Sequence, residues 1–192
     1  MSRAAAADVV IERVSPLRLA DPGPDAEGVD RILEAGLRAP DHGRLRPWQF
    51  LVIRGEARRR FGDLLAESLR RRTPDAAETA LEAERAKALR APVIVVVAIT
   101  PRDTQRIPAV EQVLSAGAAA ENMLIAAHAL GYGAFWRTGA AAYDRILAAA
   151  LGLAGEDSIA GFIYIGDIAV PGKAKDPDPA GVVKEWTGVS RT

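Results

Sequence analysis

The run Val93-Ile94-Val95-Val96-Val97-Ala98-Ile99 constrains this chain more than any other segment. Its residues are all apolar and nearly all β-branched, with no polar residue to mark a solvent side. Strict alternation would signal a half-exposed strand, whereas a continuous run of this kind signals a strand covered on both faces. The remaining chain must then supply helices for two sides of a sheet. Val29, Ile32, Leu33, Gly36 and Leu37 fall at i, i+3, i+4, i+7 and i+8, one face of a helix, with Asp25 and Glu27 near its start, where negative charge suits the dipole. After a strand at 49–53, Phe61, Leu64, Leu65 and Leu69 share a second helical face. Residues 111–130 are apolar almost all round, the pattern of an enclosed helix, and Gly131 is placed to cap it. A short helix carries Tyr143, Ile146, Leu147, Ala150 and Leu151 and ends at Gly152, and 158–166 reads as a further strand. Residues 73–90 open on Thr-Pro and are rich in Ala, Glu and Arg, which predicts a mostly solvated helix without evident chemistry. The stretch 171–181, rich in Pro, Lys and Asp, is expected to be irregular. Together these elements make a sheet with helices on both faces, in one domain over residues 1–192, with no repeats.

Composition narrows function by exclusion. The chain balances 25 Lys and Arg against 25 Asp and Glu, so no global charge draws it to nucleic acid or to an anionic membrane, and any anion site must be local. Cysteine is absent, which removes disulfides, thiolate nucleophiles and cysteine-ligated zinc or iron–sulfur centres. With only His42 and His128, no histidine-rich metal site is expected. The apolar stretch 111–130 is interrupted by Glu121, Asn122 and His128, which argues against a membrane span. Residues 1–8 hold too short an apolar region for a signal peptide, so a cytoplasmic location is expected.

Three segments hold residues suited to a ligand. Arg38-Ala39-Pro40-Asp41-His42 ends a helix, and Pro47 forces the change into the strand Trp48-Gln49-Phe50. Arg38, Asp41 and His42 are thus projected from a rigid frame, as recognition residues commonly are, although cations at a helix C-terminus also suit the dipole. In Arg13-Val14-Ser15 a guanidinium fork and a hydroxyl stand two residues apart and can grip a phosphate; a solvated loop is the plainer alternative. Gly131-Tyr132-Gly133-Ala134-Phe135-Trp136-Arg137-Thr138-Gly139 contains Gly-x-Gly, but a dinucleotide fingerprint would need glycine at Trp136 and a helix following. Trp136 fits plain core equally well.

In register along the chain, these three segments resemble the nitroreductase superfamily of flavin enzymes, in its small YdjA-like branch, over roughly residues 9 to 179. The resemblance implies an α+β fold, a three-layer α/β/α sandwich with a central mixed sheet flanked by helices. It implies FMN as cofactor, with Arg13, Val14 and Ser15 at the phosphate or ribityl end, Val14 through its backbone because the family usually carries Arg, His or Tyr there. Trp136, Arg137, Thr138 and Gly139 would pass the isoalloxazine ring, with backbone N–H groups near Thr138 and Gly139 facing N5. Arg38 and His42 would reach across from the partner subunit of a homodimer that shares two flavins. The implied reaction is ping-pong: hydride passes from NADH or NADPH through flavin N5 to an electron-poor small molecule such as a nitroaromatic or quinone. No catalytic protein acid or base and no metal is implied.

Other readings stand beside this one. Desaturation or dehalogenation can run on the same fold, and a non-catalytic flavin-binding dimeric scaffold is a further alternative. The apolar surplus of 111–130 suggests a subunit interface or a central core helix. His128 reads as a core or interface histidine. The stretch 126–131 matches a segment some members assign to the nicotinamide cofactor, and Lys173 and Lys175 are phosphate candidates by position, with a solvated charge pair the plainer reading.

Overall fold

The computed structural model describes residues 3–104, 106–174 and 177–188. Its strands are β1 (Arg18–Ala20), β2 (Trp48–Arg54), β3 (Val93–Ile99), β4 (Gly133–Arg137) and β5 (Ser158–Val170). Its α-helices are α1 (Arg3–Glu12), α2 (Ala26–Leu37), α3 (Ala57–Arg72), α4 (Glu78–Lys87), α5 (Ala109–Ala129) and α6 (Arg145–Ala150). All of β3 is buried, as its composition demands. Ile94, Val96 and Ala98 enter one core with Phe61 and Leu65 of α3 and Leu147 of α6. Val93, Val95 and Val97 enter a second core with Val29 and Ile32 of α2 and Ala120, Met123 and Leu124 of α5. Helices therefore lie on both faces, and the α+β three-layer sandwich is present.

The sheet is not mixed. Its order is β1-β5-β3-β2 with β4 also on β5, and every pairing among the described residues is antiparallel. Between β2 and β3 the chain runs out along α3, turns over residues 73–77 and returns along α4, so it re-enters at the end it left. A parallel neighbour would need a crossover to the opposite end.

Other expectations need correction in detail. The helix expected over 73–90 is shorter; it is mostly solvated, as expected, yet fastened to α3. Leu81 is buried, and Arg85 bridges Glu78 (2.9 Å), Glu82 (2.6 Å) and Asp63 of α3 (3.3 Å). Gly62 lets the two helices close, since a Cβ there would stand 2.8 Å from the Arg85 carbonyl oxygen. Leu37 and Ile146 lie off their buried faces and are exposed, and Tyr143 belongs to a separate 3-10 turn, Ala140–Tyr143. By contrast, Asp25 caps α2 by accepting the Gly28 N–H at 2.8 Å. At the end of α5, Tyr132 N–H reaches the Ala127 carbonyl and Gly131 N–H the His128 carbonyl, a closure that the positive φ of Gly131 permits. No helix among the described residues is long and apolar enough to cross a membrane.

Asp144 joins α6 to α3. Its Oδ1 accepts the N–H groups of Ile146 (2.9 Å) and Leu147 (3.2 Å), and its Oδ2 meets Arg71 Nη2 at 2.8 Å. Burial alone would raise this carboxyl. The adjacent Ser68 hydroxyl, whose Oγ is otherwise unpartnered, Arg71 and the two backbone donors outweigh it and hold the carboxyl at about 2. A depressed carboxyl contributes stability above its ordinary value of 3.8 and loses it as pH falls through about 2. At 9% side-chain exposure the linked stability is about 2 kcal/mol. Urea unfolding should show Asp144→Asn less stable than wild type by that amount near neutral pH, with the gap closing toward pH 2. A gap that stays constant over that range contradicts the assignment.

Candidate functional site

The Pro40-Asp41-His42 turn is built on a buried aromatic base. Trp48 and Phe50 stack with centroids 6.3 Å apart, and Trp48 packs with Ala39, Ile99, Ala116 and Ala119. Above them Asp41 Oδ2 accepts the Arg46 N–H at 2.7 Å, and Gly43, Arg44 and Arg46 all take positive φ. Two arginines in the left-handed region mark a turn held by its surroundings, a feature that clusters at ligand sites. His42 Nδ1 lies 2.6 Å from Glu111 Oε2 in the first turn of α5. Arg38 caps α2, is 81% exposed at its side chain, and makes only a 3.8 Å pair with Glu34. It is free to meet something outside this chain.

Arg13 follows α1 and faces the middle of α5, where its Nε lies 3.3 Å from Glu121 Oε1. Its side chain is 23% exposed, yet Nη1 is buried with no partner, so one arm of the fork is unused. An unpaired buried donor of a charged group is costly, and an incoming anion with a small rotation of the fork would relieve it. Val14 is half-buried and Ser15 exposed. Gly172 lies hard against both, with a Cβ there meeting Val14 Cγ1 at 2.7 Å, and Leu17 N–H bonds the Val170 carbonyl at 2.9 Å. The chain just after β5 is thus pinned beside Arg13-Val14-Ser15, which carries the exposed Lys173 next to Ser15. Lys175 lies outside the described residues.

Trp136 and Arg137 project to opposite sides of the sheet, as neighbours on a strand must. The Trp136 indole turns toward α5, where its tip approaches Gly117, and Nε1 donates to the Ala160 carbonyl at 3.2 Å. That carbonyl is available because β5 slips register opposite Val97 and Ala98, leaving Ala160 without a partner on β3. Arg137 instead stacks its guanidinium 5.0 Å from the Phe135 ring centroid on the α3–α4 side. Its side chain does not join the others; only its backbone shares their edge. Thr138 and Gly139 leave β4 exposed, and Gly139 takes φ 68° with nothing within 4 Å of where a Cβ would stand. The backbone there is open to close approach from outside.

Helix α5 is what the three segments have in common: His42 touches it at Glu111, Trp136 at Gly117 and Arg13 at Glu121. Ten residues of helix put the first and last contacts about 15 Å apart. Glu111 and Glu121 had no assigned role in the sequence, although they are the only acids in this otherwise apolar helix, and that was the available signal. Residues 126–131 form the last turn of α5 and its closure. His128 is half-buried there.

The Nitroreductase family model matches residues 18–167, beginning just after Arg13-Val14-Ser15. A protein of Escherichia coli K12 named "Putative NAD(P)H nitroreductase YdjA" is 39% identical over 161 residues, 84% of this chain and 87% of its own length. A nitroreductase-like protein of Bacillus cereus superposes with TM-score 0.81 over 98% of this chain and 99% of its own, at 22% identity, which speaks for the fold. A nitroreductase structure from Desulfovibrio desulfuricans, solved in complex with FMN, gives TM-score 0.74 at 30% identity, covering 94% and 96%. Fold and sequence together define an oxidoreductase enzyme. The chain belongs to the Nitroreductase family.

Proposed function

We propose that residues 1–192 form one FMN-binding domain of a cytoplasmic homodimer that passes hydride from NADH or NADPH to an electron-poor small molecule such as a nitroaromatic or quinone. The observation that carries this reading is that Arg13, Trp136 and His42 all face one helix, α5, while the open backbone of Gly139 follows Trp136 just past the end of β4. Bound FMN supplies two-electron chemistry at N5, received from the nicotinamide in one half-reaction and passed to the acceptor in the next. Arg13 and Ser15 hold the phosphate or ribityl end, with Val14 contributing its backbone and Lys173 within reach of the same anion. The N–H groups at Thr138 and Gly139 present fixed dipoles to the atom that gains electron density, which lowers the reorganisation that step requires. Trp136 and the Arg137 backbone set the edge from which those groups project. Arg38 and His42, the latter meeting α5 about 15 Å from the Arg13 contact, serve the partner's flavin. Val110, Val113 and the 66% exposed Leu114 on α5 offer the apolar surface for the dimer. No protein acid or base is needed.

Reconstitution with FMN tests the reading. About one FMN per chain should bind to a dimer in sedimentation, and NADH or NADPH should bleach it anaerobically. A monomer that keeps its flavin would sink the shared site, and a flavin no nicotinamide bleaches would leave a binding scaffold instead of an enzyme.

A further inference from the structure

The contact between His42 Nδ1 and Glu111 Oε2 joins residues 69 positions apart, at 2.6 Å. Stability does not account for it. The side chains are 66% and 40% exposed, and exposed pairs add little to folding. Yet the start of α5 and the loop before it are built to hold the His42 turn. Gln112, buried beside Glu111, accepts the Arg102 N–H at 2.8 Å and donates to the Arg102 carbonyl at 3.0 Å. The Thr100 N–H meets the Pro47 carbonyl at 3.0 Å, so the loop is tied both to α5 and to the entry of β2. Ile107 at its far end is buried against Gly43, where a Cβ would collide with the Ile107 Cδ1. One helical turn further on, Glu111 takes hold of His42 itself. Two successive residues of the turn are thus gripped from the same helix start.

The chemistry of the pair fixes more than a direction. An ionised carboxylate only accepts hydrogen bonds, so the Nδ1 that faces Glu111 must carry a proton. A neutral imidazole bears one N–H, and placing it at Nδ1 leaves a lone pair on Nε2; in the charged ring Nε2 donates instead. In both states Nε2 is the nitrogen left for a ligand. A carboxylate behind a histidine commonly sets tautomer and ring orientation in this way. A ring held beforehand also loses less rotamer freedom when the ligand arrives. Arg38, the other side chain offered outside the chain, has no such support, being 81% exposed and 3.8 Å from Glu34.

Resting on the reading of His42 as a contact to the partner's flavin, we infer that Glu111 is a positioning residue for flavin binding. It holds the His42 ring with a proton on Nδ1, and Nε2 is the nitrogen presented to the cofactor. Glu111 itself acts only through His42.

Nitrogen NMR of the imidazoles and a double-mutant cycle on FMN affinity test this. The chain has only two histidines, so the spectrum of the full chain holds two ring systems, and His42→Ala identifies which is which. Wild type should carry a proton on His42 Nδ1, and Glu111→Ala should lose that preference. In FMN titrations Glu111→Ala should weaken binding by roughly three- to tenfold, the net worth of one hydrogen bond. In a His42→Ala background the same substitution should change nothing further, whereas a structural or through-space effect of the carboxylate would persist there. The side chain at 111 is open to solvent, so the variant should fold and melt as wild type does; should it melt early, the wild-type spectrum still decides the pairing. The inference is overturned by a bare Nδ1 in wild type, by unchanged FMN affinity in Glu111→Ala, or by an equal loss with and without His42. Each of those results leaves the flavin reading standing. Wild type that takes no FMN at all overturns that reading, and the inference with it.

Discussion

Arg13→Ala should weaken FMN binding by roughly ten- to a hundredfold while leaving riboflavin affinity nearly unchanged. A charge-assisted hydrogen bond to a phosphate dianion is worth about 1.5–3 kcal/mol, and 1.4 kcal/mol is a factor of ten. The surroundings of Arg13 push toward the larger value. Glu121 holds its Nε at 3.3 Å, so the substitution also releases a carboxylate that is 43% exposed at its side chain beside the same site. That unmatched negative charge would repel the phosphate that the arginine attracted. Val14→Ala should be far milder, because only its backbone is asked to act. Fluorescence titration of FMN and riboflavin against the variants decides the matter. Equal FMN affinity for Arg13→Ala and wild type would mean that the phosphate is held elsewhere, with Lys173 beside Ser15 the next residue to test.

Gly161→Ala should destabilise the protein by about 3 kcal/mol, the upper end for forcing extra volume into a packed site. A Cβ at 161 would lie on the Trp136 indole, 2.5 Å from Cδ1, 3.0 Å from Cε2 and closer still to Nε1. The indole cannot yield cheaply, since it is half-buried and donates to the Ala160 carbonyl. Displacing it strands that carbonyl and shifts the strand end from which Thr138 and Gly139 project. Denaturant unfolding should report the stability loss, and flavin affinity should fall with it. A small methyl added at Gly155, where nothing stands within 4 Å, should cost little and serves as the control. A stable Gly161→Ala protein with intact flavin binding would show that the indole is not the support described.

The layer structure was legible because β3 has no polar residue and α2 and α3 keep a helical period, so burial alone fixes what each must touch. The antiparallel pairing was not, since the apolar pattern of a strand says which faces are covered and nothing about its direction or its neighbours. Leu37 and Ile146 had the right spacing but sit at the last turn of α2 and the first of α6, where both are exposed. The candidate ligand segments stood out in the sequence through clustered Arg, His and Gly residues. What they rest on was less so: Ala160 acts through a distant contact that carries no local pattern, and Glu111 and Glu121 stand out only as the two acids of α5.

The long strand β5 bonds to β1, β3 and β4, and among the described strands only β2 and β3 can pair without it. It is also the last of the five to leave a ribosome. Until then β3, apolar on both faces, has a partner on one side only, and a nascent chain halted before residue 158 carries an open, hydrophobic edge of the kind that pairs with other chains. Production of this protein should therefore be sensitive to the rate at which its final third is translated, and truncated chains should be found in aggregates or in the hands of chaperones.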